Sequence, residues 1–237
     1  MDLSVIIPAK NEAANLPALL QEINQALAGH AFEVLVIDDG SSDHSWALLA
    51  ELKGQFPWLR ALRLAQSSGQ STAVWLGCQK ARGRFVATLD GDGQNDPADI
   101  PKLLTLARRV QGPACVCGIR TRRNDSWLKR VSSKVANGVR RRLLNDGVVD
   151  TGCGLKLLGR DLFLSLPYFD HMHRFLPALC VRVGATVLSE PVNHRPRTAG
   201  TSKYGLHNRL WVGLVDMAGV RWLQKRAKQP QLQEELP

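Results

Sequence analysis

Two carboxylates stand two residues apart in Asp90-Gly91-Asp92, directly after the apolar run Phe85 to Leu89 and with Gly93 and Gln94 following. Alternate residues of an extended segment project to the same side, so both acids can address one cation. The glycines leave the backbone room to approach a ligand. Hard carboxylate oxygens suit Mg²⁺ or Mn²⁺ held together with substrate phosphates. An isolated acidic loop is ordinarily a solvated turn, but two more polar clusters follow apolar runs in the same way: Pro8-Ala9-Lys10-Asn11-Glu12 and Asp38-Asp39-Gly40-Ser41-Ser42-Asp43. Asp39 has the chemistry to accept hydrogen bonds from a nucleobase or ribose at a sheet edge. Glu12 reads equally as a ribose contact or as a first-turn acid favoured by a helix dipole, and Asp43 as a helix N-cap.

The elements that must position these loops alternate along the first 120 residues. Leu3 to Ile7, Val34 to Ile37, Leu59 to Leu64, Phe85 to Leu89 and Ala114 to Gly118 read as strands. Glu12 to Leu27, Asp43 to Gln55, Gln70 to Ala81 and Pro97 to Val110 have helical length and apolar spacing. This is the grammar of an α/β fold, a mostly parallel sheet with helices on both faces. Such sheets bind ligands beyond the carboxyl ends of their strands, where all three acidic loops fall. The second half is less regular: a basic helical segment from Trp127 to Leu144, a glycine-rich turn at Thr151 to Gly154, and a strand at Thr186 to Leu188.

Composition narrows the class. With 237 residues, 44% of them hydrophobic, the chain can bury a sizeable core. The apolar run that begins at Leu3 has no basic region or cleavage site before it, so no secretory signal is expected. Five scattered cysteines without CxxC spacing read as reduced thiols and not as a disulfide framework or zinc site. The net charge of +10 is concentrated: between Lys102 and Arg142 twelve Lys or Arg face one acid, Asp125. A basic face of this kind suits a phosphate-bearing partner.

The three clusters Ser4 to Glu12, Val36 to Asp43 and Leu89 to Pro97 resemble, in that order, the nucleotide-sugar motifs of family-2 glycosyltransferases with the GT-A fold. Downstream, Asp150-Thr151-Gly152-Cys153-Gly154-Leu155-Lys156 and Arg197 to Tyr204 resemble the branch that contains dolichyl-phosphate mannose synthase and bacterial polyprenyl-phosphate sugar transferases. The resemblance runs from Leu3 to about Tyr204. It implies a nucleoside pocket of Pro8, Lys10, Glu12, Ile37 and Asp39, with Gly91 beside the donor. It implies that Asp90, Asp92 and Gln94 hold Mg²⁺ or Mn²⁺ and the diphosphate. Arg120, in Gly118-Ile119-Arg120, matches an arginine that reaches the site, and Arg197 and Lys203 match a basic pair that takes up charge on the leaving diphosphate. Two positions depart from the pattern: Ser67 stands where relatives often have Asn, and Lys129 where they have Arg, which alone makes a planar two-pronged phosphate contact.

The activity implied is inverting, metal-dependent transfer of a hexose-type sugar from a nucleoside diphosphate, UDP in the bacterial branch, to a polyprenyl monophosphate such as undecaprenyl phosphate. A phosphate acceptor is mostly dianionic at neutral pH and needs no protein base, whereas a sugar hydroxyl does. A hydroxyl-acceptor transferase that builds a surface polysaccharide, with Asp150 or another acid as base, is therefore the alternative enzyme reading. A nucleic-acid-binding protein is a third, but the basic segment carries only Trp127 among aromatics and the acidic loops would be left without a purpose.

Residues 1–204 are thus expected to form the transferase domain, 205–228 an amphipathic helix and 229–237 a disordered tail. Leu210 to Leu223, at about 21 Å long, is too short for a hydrocarbon core of about 30 Å. Trp211, Val215, Ala218 and Trp222 recur on one helical face, with Arg221, Lys225, Arg226 and Lys228 gathered near the end. That pattern suits an interfacial helix on an anionic membrane surface. The expected location is cytoplasmic, peripheral on the inner face of the cytoplasmic membrane.

Overall fold

The computed structural model describes residues 1–120, 138, 140–196 and 206–228, the last segment by its backbone alone over 206–211. Seven strands, β1 (Leu3–Ala9), β2 (Phe32–Asp38), β3 (Leu59–Arg63), β4 (Phe85–Thr88), β5 (Ala114–Arg120), β6 (Lys156–Gly159) and β7 (Thr186–Val192), form one sheet in the order β3-β2-β1-β4-β6-β5-β7. Only β6 runs antiparallel to its neighbours, β4 and β5. The α/β architecture expected from the alternating pattern is therefore present. The unforeseen strand is β6, whose four residues, Lys-Leu-Leu-Gly, are too few for any period to register.

Helices α1 (Leu16–Ala26), α2 (Ser45–Gln55) and α4 (Ile100–Arg109) cover one face. Helices α3 (Gln70–Lys80), α5 (Arg160–Leu164), α6 (Leu176–Arg182) and α7 (Leu206–Lys225) cover the other. The strand alternation sorts the core accordingly. Leu3, Val5, Ile7, Val34 and Val36 pack with Leu16, Leu20, Leu49 and Leu103. Ile6, Leu35, Ile37 and Val86 pack with Val74, Cys78 and Leu179. Burial on both faces explains why β1 and β2 read as unbroken apolar runs. All five cysteines are buried and free, and Cys115 and Cys117 share one face of β5 as expected of core residues.

Some boundaries differ from the sequence expectation: β7 runs on to Val192, and α2 and α4 start at Ser45 and Ile100. Helix α1 starts at Leu16 and not at Glu12, because Glu12 to Asn15 form a turn in which Asn15 Nδ2 donates to the Glu12 carboxylate at 2.6 Å. Residues 140–144 are helical, while most of the basic segment before them lies outside the described residues.

The two ends of the sheet differ in kind. At the amino end, the buried Glu33 carboxylate of β2 accepts from Ser4 Oγ (2.7 Å), Arg82 N (2.6 Å) and Arg60 Nη1 (2.7 Å), stapling β1, β2, β3 and the end of α3 together. At the carboxyl end the polar loops converge. β1 has β2 on one side and β4 on the other, so the chain order reverses direction there and leaves a crevice.

Candidate functional site

Each loop of the crevice is fastened to the next. Asn11, with φ 55° after β1, places its backbone N–H on Ser41 Oγ (2.8 Å), and its side-chain carbonyl accepts from Ser42 N (2.8 Å). The backbone N–H of Glu12 donates to Ser45 Oγ at 3.0 Å. Asp43 accepts from Ser45 N and Ala13 N, but the N-cap position of α2 falls on His44, so Asp43 ties the first loop to the start of the helix from one residue before the expected cap. Asp39, 6% exposed, accepts from Ser67 Oγ (2.9 Å), Ser68 N (2.6 Å) and Gly69 N (3.1 Å). Lys10 Nζ donates to the same Ser67 hydroxyl at 2.8 Å. Ser67, the departure noted in the sequence, thus bridges two of the expected pocket residues.

Asp90 and Asp92 open the next loop beyond β4. Asp90 Oδ1 accepts from Gln70 Nε2 at 2.8 Å, and Oδ2 from Asn95 Nδ2 at 3.5 Å. Gly91 lies so near the first loop that a Cβ there would sit 3.2 Å from the Pro8 carbonyl oxygen and 3.5 Å from Glu12 Cγ. Gly154 is tighter still: a Cβ at this position would collide with the Asp90 carboxylate. Its carbonyl accepts from Thr88 Oγ1 at 2.7 Å, and the buried Lys156 ammonium donates to the carbonyls of Thr151 and Cys153. The glycine-rich turn is therefore a wall of the crevice, held at a distance that only glycine permits.

Burial, reinforced by the Asp92 carboxylate, pushes the Asp90 pKa up to about 6, against partial relief from Lys156, Gln70 and Arg120. A carboxylate whose charged form is disfavoured in this way gains from a cation placed beside it. No group of three His, Cys, Asp or Glu capable of holding a metal occurs among the described residues. The donor set suits a hard cation completed by phosphate oxygens and water rather than an all-protein cage. Gln94, expected beside the metal, has its Nε2 on the Arg195 carbonyl (3.3 Å) and its backbone N on Asp92 Oδ1 (3.1 Å). Arg195 in turn pairs with Glu22 (2.8 Å) and Asp96 (2.6 Å), anchoring the strand exit to the acidic loop. Arg197 and Lys203, expected to meet the diphosphate, lie outside the described residues, as does Lys129.

Arg120 sits at the end of β5 and clasps Asp150 through both prongs, Nε to Oδ2 at 2.7 Å and Nη2 to Oδ1 at 2.8 Å. Asp150 also accepts from Gly152 N at 3.2 Å. A carboxylate with both oxygens so engaged orients the arginine and the glycine turn, a poor arrangement for a general base. The crevice thus gathers Pro8, Lys10, Glu12, Asp39, Asp90, Gly91 and Asp92, while Ile37 lies in the core beneath it. Sequence reasoning gave Gln70, Asn95, Lys156 and Arg195 no part. Gln70 alone had a visible signal, since it opens a helix directly after Gly69.

The solved structures similar to this fold include glucosyl-3-phosphoglycerate synthase from Mycobacterium tuberculosis in complex with Mn²⁺, UDP and phosphoglyceric acid, with a TM-score of 0.73 at 19% identity over 96% of this chain and 80% of that one. The same enzyme with Mg²⁺ and UDP also has a TM-score of 0.73, at 20% identity over 92% of this chain and 79% of that one. Among characterised relatives, dodecaprenyl-phosphate galacturonate synthase of Rhizobium johnstonii is 30% identical over 97% of this chain and 69% of its own length. Undecaprenyl-phosphate 4-deoxy-4-formamido-L-arabinose transferase of Edwardsiella ictaluri is 36% identical over 86% of this chain and 63% of its own, so the chain spans just under two thirds of that longer relative. The model for glycosyl transferase family 2 matches residues 4–166, from the first strand through the acidic loops and the glycine-rich turn to just beyond α5, and the chain belongs to that family.

Proposed function

We propose that this protein transfers a sugar, with inversion, from UDP to a polyprenyl monophosphate at the inner face of the cytoplasmic membrane, and that it does so with Mg²⁺ or Mn²⁺. The observation that carries the reading is Asp90, buried at the carboxyl edge between the Gly154 wall and Gln70, with the Asp92 carboxylate two residues on. The relatives that act on dodecaprenyl and undecaprenyl phosphates support the acceptor class. The similar structures that hold UDP with Mn²⁺ or Mg²⁺ support the donor and the cation.

In this reading Asp90 and Asp92 would hold the cation, which would supply positive charge for a leaving diphosphate. Lys10, Glu12 and Asp39 line the nucleoside pocket, with Asp39 bracing the Ser67–Gly69 loop that closes one side. Arg120, aligned by Asp150, presents a fixed guanidinium toward phosphate, and Arg197 and Lys203 add further cationic donors. The acceptor phosphate oxygen attacks the anomeric carbon in line with the departing diphosphate. No proton needs to be removed from that nucleophile, which fits an Asp150 already committed to Arg120.

Helix α7 supports the membrane contact. Met217, Val220 and Leu223 face the core, and Gln224 Nε2 donates to the Leu144 carbonyl at 2.8 Å. Val212, Leu214, Val215 and Trp222 face outward, Val215 at 70% and Trp222 at 59% exposure, with the Arg226 guanidinium 6.0 Å from the Trp222 ring. No helix among the described residues is long and apolar enough to cross a membrane. An apolar stripe with cations at its end is the form of an interfacial helix. Incubation with a panel of nucleotide sugars, Mn²⁺ and undecaprenyl phosphate, followed by mass spectrometry of the lipid fraction, tests the reading. A sugar phosphodiester of the lipid is expected; release of free sugar alone, with every donor, would overturn it.

A further inference from the structure

We propose that His173 is a positioning residue for Asp90, acting through the first turn of α3. The proposal rests on the reading of Asp90 as a cation ligand. Three consecutive residues at the start of α3 each make one outward contact. Gln70 reaches the Asp90 carboxylate at 2.8 Å. Ser71, 1% exposed, meets His173. Thr72 meets the Tyr168 hydroxyl at 2.8 Å. The segment from Tyr168 to His173 therefore brackets the turn that carries Gln70.

The contact with His173 is the directional one. Ser71 Oγ accepts the His173 backbone N–H at 3.3 Å and lies 2.6 Å from His173 Nδ1. With that backbone N–H received, the hydroxyl proton is free to point at Nδ1, which is then the accepting nitrogen of a neutral ring. Burial, together with the nearby cations Arg174 and Lys156 and with His171, holds the imidazole well below its ordinary pKa and keeps it in this form. Gln70 and Ser71 are adjacent in a rigid helix, so a rotation of the turn at Ser71 moves the Gln70 amide relative to Asp90. On the far side of the bracket, His171 Nδ1 lies 3.2 Å from Asp216 of α7, which gives the bracket an anchor independent of α3. A carboxylate that binds a cation needs such outer partners to fix its orientation.

The test measures Mn²⁺ binding in the presence of saturating UDP by isothermal titration, in full-length His173→Leu, His173→Asn, Gln70→Ala and Asp90→Asn proteins whose folding is checked by circular dichroism. Loss of a direct partner of a metal ligand ordinarily weakens metal affinity by about 10–100-fold. Gln70→Ala is expected near the lower end of that range, and His173→Leu, one step removed, on the order of threefold to tenfold weaker than wild type. His173→Asn, whose amide oxygen can accept from Ser71 in place of Nδ1, is expected to recover most of the loss. In the Gln70→Ala background, His173→Leu should have little further effect.

A His173→Leu protein that is merely less heat-stable, with wild-type Mn²⁺ affinity, overturns the proposal. So does equal loss in the Leu and Asn variants, which would mark a packing role. If Asp90→Asn itself leaves Mn²⁺ binding unchanged, the functional reading falls and this proposal with it. If Asp90→Asn abolishes binding while the His173 variants do not alter it, the positioning claim alone fails. Should His173→Leu not fold, Ser71→Ala removes the same hydrogen bond from the helix side and carries the same expectation.

Discussion

At the residue scale the site depends on a missing methyl group. Gly154 faces the Asp90 carboxylate so closely that any side chain must displace either the turn or the acid. The turn is held by Lys156 and Thr88, so the acid is the group that yields. A misplacement of about 1 Å at a reacting centre costs on the order of a hundredfold in rate. Gly154→Ala is therefore expected to remain folded by circular dichroism and to lose transfer by roughly that factor; a variant with wild-type turnover would show that Asp90 is not held against this wall. Asp90, Asp92 and Asp39 are legible in the sequence because acidic residues after apolar runs are unusual and fall at the ligand-binding edge of a parallel sheet. Gln70 offers only its place at the start of a helix, and Asn95 and Lys156 offer less, because amides and lysines are common in loops and the value of all three lies in contacts between residues 5 to 20 apart or across a buried turn. Arg120 is singled out in the sequence only by the family resemblance, and its clasp on Asp150, thirty residues away, emerges only from the fold.

At the element scale, the strands carry stability at one end and chemistry at the other. Glu33 belongs to the stable end. Burial alone would raise its pKa, but hydrogen bonds from Arg60, Ser4 and Arg82, with the charge of Arg60, outweigh burial and hold it below the ordinary 4.5. A depressed carboxylate stabilises the fold above its unfolded pKa, and that stabilisation is lost as pH falls through the folded value. The melting temperature is thus expected to be flat in this contribution from neutral pH to about 5 and to fall below about 4.5. Glu33→Gln should cost about 2 kcal/mol at pH 7 by removing the charge that Arg60 meets, with a shallower acid decline than wild type; identical acid limbs in thermal scans would contradict the assignment. The parallel strands and their helices are legible from period alone. β6 is not, because an antiparallel four-residue insertion is specified by its neighbours β4 and β5 and has too few residues to show a pattern. The start of α1 is displaced for a similar reason: Glu12 to Asn15 spend their hydrogen bonds on the second loop and on each other.

At the scale of the whole molecule, the surplus charge and helix α7 bear on where the chain works. The sequence pattern places Val215, Ala218 and Trp222 on one face, and the fold leaves Val215 and Trp222 exposed while Val220 on the opposite face is 1% exposed. The helix is docked on the domain and still presents an apolar stripe, so docking and membrane contact are compatible. Flotation with anionic vesicles is expected to carry the intact protein at low salt and release much of it at high salt, since cations near the surface contribute about 1 kcal/mol each. Val215→Ser/Trp222→Ser should weaken the association; flotation equal to wild type would remove this face as the contact. The central claim is cation-dependent transfer to a lipid phosphate. Its most direct measurement is the formation of lipid-linked sugar from a UDP-sugar with undecaprenyl phosphate or undecaprenol as acceptor, in Mn²⁺ or in excess chelator, by wild type and by Asp92→Asn. Product is expected from wild type only with the phosphate and only with Mn²⁺, and at least a hundredfold less from Asp92→Asn, the order of loss when a charge-stabilising element is removed. Wild-type turnover in chelator, undiminished transfer by Asp92→Asn, or product from undecaprenol but not from its phosphate would contradict it.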